Sequence, residues 1–297
     1  NKLNQQTEQL SPLSSRPAYT ETENELTVKA NKRTFIFSKK DGQLKGVSVD
    51  NRKISFANGP RFIGARRADR SLDQFYNHDD EKAKEKDRTY SEFPDAAVFT
   101  KLDVKQDGGD LIVTANYKLG NLDKAQWTIN PSGDLALDYT YNFSGVVDLM
   151  GIRFDYPEDQ VISKRWLGAG PYRVWQNRIH GTQYDVWEND YNDPIPGETF
   201  TYPEFKGYFG DVSWMNIQTK EGTISLTNET PDAYIGVYQP RDGRDRLLYT
   251  LPESGISVLN VIPPVRNKVN STDLCGPSSQ PKWVNGPQTG RVIFRFM

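Results

Sequence analysis

DLIVTANYKL (110–119), KAQWTIN (124–130) and DLALDYTYNF (134–143) decide the fold. In the last run Leu135, Leu137, Tyr139, Tyr141 and Phe143 alternate with Ala136, Asp138, Thr140 and Asn142. A period of two puts the first set on one face of a strand and the second on the other, so one face is buried and the other is wet. Gly108-Gly109 and Pro131-Ser132-Gly133 set these runs and AVFTKLDVKQ (97–106) apart as turns. No amphipathic helix lies between them, so the strands pair antiparallel and stack as two large sheets. The fold class read here is all-β.

The same signals extend both ways. ELTVKA, RTFIFS, KKDGQ and LKGVSVD read as a hairpin series, with Asp41-Gly42 supplying the positive φ that a tight turn needs. After the Trp-rich middle come GTISLTN, DAYIGVYQP, GRDRLLYTLP and GISVLNVIPPV, and RVIFRFM closes the sequence as a strand. Residues 1–23 lack periodicity and read as a linker or tail, leaving 24–297 as a single domain. Two stretches interrupt the pattern. Arg61 to Phe93 is dense in charge and reads as a solvated excursion, although Arg66-Arg67-Ala68-Asp69 sets opposite charges beside aromatics as a polar pocket does. Residues 266–287 read as a Gly/Pro/Ser-rich loop carrying Trp283, and loops of that length inside a compact domain are usually functional.

Composition excludes several function classes. A net charge of −2, with Lys and Arg spread among Asp and Glu, gives no basic stripe for nucleic acid. Mean hydropathy is −0.72 and no run of about 18 apolar residues occurs, so no membrane-spanning helix is expected. The single cysteine, Cys275, rules out an internal disulfide or a CxxC metal site. Asn1 and the polar, Pro/Ser-rich start suggest a processed piece of something longer, with a periplasmic or extracellular location as the expectation.

Chemistry concentrates between Trp166 and Asn216, which holds four of the six Trp among Gly, Pro, Arg and acidic residues. Such a stretch either packs a sandwich core or stacks on a sugar ring while neighbouring polar groups bond its hydroxyls. His180 beside Arg178 has the chemistry to polarise a sugar oxygen, though a lone His more often faces solvent. His78 and His180 have no cysteine partners, and phosphate loops, HExxH and GxSxG are absent, so no metal or cofactor is expected. Asp and Glu are too numerous for the sequence to choose a catalytic pair.

WLGAGP, Arg178, YDVW (184–187) and YPEFKGYFGDVSWMNI (202–217) together resemble the carboxy-terminal domain of β-galactosidases of glycoside hydrolase family 2, whose pattern is close to WLGxGPxExYxDR and YxxPQExGxxxDVRWL. FIFSKKDGQLKGVSVDNRKI, GPRF and Arg67-Ala68-Asp69 are similar to the strand pair and RAPxDND turn that open it. The resemblance implies a galactose mutarotase-like supersandwich from residue 24 onward. It implies no catalytic residues in this chain, because the family's catalytic glutamates sit on a separate (β/α)8 barrel. The implied partners are carbohydrate and that barrel, with an aromatic from the late loop, here Trp283, as one wall of the sugar pocket. Tentative sugar contacts are Trp283, Trp175, Arg178, His180, Glu204, Arg67 and Asp69. Arg173, Trp175 and Asn177 replace the family's Glu, Tyr and Asp, and Glu204 and Phe205 its Gln and Glu, so the preferred sugar is left open. The rival readings are a stand-alone aldose epimerase, which needs a His and a carboxylate in one pocket, and an independent carbohydrate-binding module with exposed coplanar aromatics.

Overall fold

The computed structural model describes residues 15–67, 90–191, 206–239, 251–265, 278 and 280–297. Strand follows strand: β1 (Ala18–Glu21), β2 (Glu25–Ala30), β3 (Arg33–Ser38), β4 (Leu44–Val49), β5 (Arg52–Ile54), β6 (Ala57–Arg67) and β7 (Tyr90–Glu92). Then come β8 (Val98–Asp107), β9 (Asp110–Lys118), β10 (Leu122–Ile129), β11 (Leu135–Val147), β12 (Leu149–Asp155) and β13 (Val161–Gly170). The last are β14 (Gln183–Asp190), β15 (Trp214–Thr219), β16 (Gly222–Asn228), β17 (Tyr234–Gly236), β18 (Ile256–Val261) and β19 (Lys282–Phe296).

These strands build two antiparallel sheets. The ten-stranded sheet runs β1-β2-β3-β4-β6-β12-β18-β17, with β5 on β4 and β7 on β6. The nine-stranded sheet runs β14-β13-β15-β16-β19-β11-β10-β9-β8. The all-β, two-sheet sandwich read from the sequence is the observed architecture. Alternation along β9, β10 and β11 buries Leu111, Val113, Trp127, Leu137, Tyr139 and Tyr141. They meet Leu26, Val28, Phe37, Phe62, Ile152 and Phe154 of the facing sheet in one cluster. Rings lock the layers together, Phe37 on Trp127 at 5.9 Å, Phe62 on Tyr141 at 5.4 Å and Phe154 on Phe294 at 5.4 Å between centroids. Gly42 has φ +72°, and a Cβ there would lie 2.7 Å from the Phe99 ring, so the turn read from Asp41-Gly42 requires glycine twice over.

Three boundaries differ from the sequence reading. β1 pairs with β2 within the stretch read as tail; all four of its residues are exposed, so it carries no alternation to detect. β6 runs through Arg67, where the excursion was expected to begin at Arg61. It lies between β12 and β7 and is buried on both faces over Phe62 to Ala65, which erases the period of two. Residues 282–287, assigned to the late loop, form the first part of β19 and pair with β11 from Val147–Lys282 onward. Gly286 and Pro287 masked this strand. Asn142 donates its N–H to Asn121, away from β19, so the Asn142–Pro287 pair is the non-bonded kind and the proline nitrogen faces the side that β16 does not reach.

Candidate functional site

Behind the ten-stranded sheet lies a second buried cluster. Ile63 and Ala65 of β6, Leu149 of β12 and Leu259 of β18 form its floor, and Val174, Trp175, Tyr208, Ile262 and Val265 cover it. Tyr90 and Leu251 complete it. Arg67 and Tyr90 pair across β6 and β7 at the base of 68–89, and Gln239 donates its side-chain amide to the Leu251 carbonyl at 2.7 Å at the base of 240–250.

The segment from Trp175 to Arg178 is a tight turn closed by the Arg178 N–H on the Trp175 carbonyl at 2.8 Å. Trp175 is only 3% exposed and meets Tyr208 edge-on at 5.8 Å. Its ring is covered by protein in this structure, so here it supports the platform. Gln176 donates to the carbonyls of Ser278 and Gln280 at 2.8 and 2.7 Å, and Asn177 both donates to and accepts from the Val265 backbone. One turn therefore holds both bases of 266–277. Sequence reasoning gave neither residue a role, since their partners lie 88 to 104 positions away.

Arg67 is 4% exposed and belongs to the same face, its N–H donating at 2.9 Å to the buried Asp148 carboxylate. Burial, with Tyr90 adding to it, pushes the Tyr208 phenol far above its usual range, so it stays neutral. Arg178 and His180 are exposed at the edge of the turn, and the Tyr172 hydroxyl reaches the His180 carbonyl at 3.4 Å. Trp283 stands apart on the outward row of β19, at 71% exposure. Asp69 and Glu204, and with them His78 and Cys275, lie outside the described residues.

A further polar group sits deeper. Lys164 and Arg173, 1% and 2% exposed, both lie over the Tyr238 ring, at 5.2 and 4.8 Å from its centroid. Lys164 also donates to the Asp190 carbonyl. The Arg that stands where the family pattern has Glu is thus buried against aromatic faces. Among the described residues no group of His, Cys, Asp and Glu is arranged to hold a metal, and no helix is long and apolar enough to cross a membrane.

The sheets form a two-layer sandwich with the second buried cluster on the outer face of the ten-stranded sheet. The family model described as beta galactosidase small chain matches residues 29–265, and the chain belongs to that family. No curated protein sequence matches it. Similar solved structures include a galactose 1-epimerase from Lactobacillus acidophilus NCFM, at 10% identity and TM-score 0.48, covering 96% of this chain and 99% of that one. A candidate aldose 1-epimerase from Escherichia coli K12 has 12% identity and TM-score 0.39, with 94% and 99% coverage. A copper-containing benzylamine oxidase from Hansenula polymorpha has 8% identity and TM-score 0.37, covering 98% of this chain and 63% of the oxidase.

Proposed function

We propose that this chain is the non-catalytic sandwich of a β-galactosidase-type glycoside hydrolase and completes the sugar pocket of a (β/α)8 barrel carried on a larger partner chain or domain. The observation that carries this reading is the platform. Arg67 with Tyr90, the Trp175–Arg178 turn and its clamp on Val265 gather on one face. Loops on a rigid scaffold are where binding residues concentrate. In this reading Arg67 and Arg178 orient sugar or partner oxygens, His180 lies at the rim, and Trp283 contributes a stacking wall from the neighbouring strand end. Asp69 and Glu204 remain candidates of the same kind. A location outside the cytoplasm, where an extracellular saccharide is met, suits this role.

The test uses the purified chain alone and together with the barrel-bearing part of the same enzyme, assayed on nitrophenyl galactosides. The chain alone gives no turnover and the pair does. Turnover by the chain alone, lost on mutating one of its own carboxylates, overturns the reading.

A further inference from the structure

At the opposite end of the strands that form the platform, the ten-stranded sheet encloses a cavity of about 520 Å³. β6 joins the two places, beginning at Ala57 beside the cavity and ending at Arg67, roughly 30 Å away at about 3.3 Å per residue. The cavity walls come from the β5–β6 corner, the segment after β12, and the segments after β17 and before β18. Gln239, which lines it, also donates its side-chain amide to Leu251 of the second buried cluster.

Its polar groups are fixed before any ligand arrives. Asp155 accepts from Arg61 on one oxygen and from the Asn58 amide at 2.8 Å on the other. Glu158 accepts from the Tyr191 hydroxyl at 2.8 Å and from the Gln239 N–H at 2.9 Å. Glu221, behind the wall, holds Ser55 through its N–H at 2.8 Å and its hydroxyl at 2.5 Å, and reaches the Tyr156 hydroxyl at 3.3 Å. Each carboxylate oxygen has two lone pairs, so these oxygens keep acceptor capacity toward the cavity while their orientation is set. Lys53 and Glu253 add an ammonium and a carboxylate, and Ala57, Pro157 and Val237 add apolar surface.

Charge decides the class of ligand. Asp155 is paired with Arg61, the charge on Glu158 is spread over two hydrogen bonds, and Lys53 sets one ammonium among the lining carboxylates. An anion meets more acceptors than donors here, and the described residues hold no set of groups arranged for a metal ion. A neutral ring with an apolar CH face and a rim of hydroxyl donors matches both the lining and the volume.

We infer that this cavity is an accessory binding site for a neutral saccharide of one or two rings, separate from the barrel-facing platform. The probes are methyl β-galactopyranoside, methyl β-glucopyranoside and, as the anionic comparator, galacturonic acid, each followed by saturation-transfer NMR on the purified chain. At least one neutral glycoside receives transfer and the uronic acid does not. Ala57→Tyr, which fills the cavity, abolishes the signal. Glu253→Ala, at the exposed rim, weakens it severalfold. If Ala57→Tyr fails to fold, Glu253→Ala and Lys53→Ala decide the matter. No transfer to either glycoside, stronger transfer to the uronic acid, or rim variants that bind as wild type would each overturn the inference. None of these outcomes depends on the barrel, so the site can fail while the proposed function stands, and the reverse.

Discussion

Asn177 and Val265 are bonded to each other twice, the Asn177 amide donating to the Val265 carbonyl at 2.8 Å and the Val265 N–H returning to Asn177 Oδ1 at 2.9 Å. The side chain mimics a paired strand residue and fixes the chain direction where 266–277 begins. With Gln176 gripping Ser278 and Gln280, the separation of the two bases is set by one turn.

Removing the Asn177 amide leaves a partly buried N–H and C=O of Val265 unpaired, which costs about 1–3 kcal/mol. Asn177→Ala lowers the denaturant midpoint accordingly, and Asn177→Asp, which keeps the acceptor and loses the donor, falls between. Hydrogen exchange at Val265 quickens in both. A wild-type midpoint together with unchanged exchange would show that the clamp is unnecessary.

The two candidate tryptophans should behave oppositely. Trp175 is buried between Tyr208 and the platform, so Trp175→Ala costs about 3–5 kcal/mol. Trp283 is 71% exposed, so Trp283→Ala stays within about 0.5 kcal/mol in the isolated chain. In the barrel-containing enzyme the same change raises KM. Urea melts settle the first pair of values and steady-state kinetics the last; a severalfold drop in kcat with KM unchanged argues against a stacking role.

Neither sugar hydrolysis nor mutarotation is expected of the chain alone. His180 is exposed, and its described hydrogen bond is through its backbone carbonyl, so the imidazole forms no acid/base pair among the described residues. Polarimetry of fresh α-galactose should follow the buffer blank. An acceleration that disappears in His180→Ala would make the epimerase reading the better one.

Asp134 gives an acid-side test. Burial works to raise its pKa, but two hydrogen bonds from Arg295, at 2.6 and 2.7 Å, outweigh it, and the carboxyl ends below its usual range. A depressed carboxyl stabilises the fold fully above the unfolded value of about 3.9 and loses that contribution as pH falls through the folded value. Arg295→Gln therefore destabilises the protein at pH 5 to 7, and its melts converge with wild type toward pH 2. A difference that stays constant down to pH 2 would assign the effect of Arg295 to packing alone.

Fold class was legible because β9, β10 and β11 lie with one face wet, and that asymmetry writes a period of two into the sequence. It failed where burial was symmetric. β1 is exposed throughout, and β6 is covered on both sides over Phe62 to Ala65. The site was legible only as composition. Nothing local tells the covered indole of Trp175 from the open one of Trp283, because burial depends on Tyr208 and Val265, far along the chain. Gln176 and Asn177 act through backbone atoms, which have no residue type to recognise.

The placement of β19 sets the timing of assembly. Among the described residues it alone bridges β16 and β11, so the two halves of the nine-stranded sheet stay unconnected until it emerges, each offering an open edge. Phe294 and Phe296 complete the packing around Phe56 and Phe154 only when this strand arrives. A ribosome that stalls or terminates before Arg291 thus releases a chain with two unsealed half-sheets, the kind of product that aggregates or is degraded.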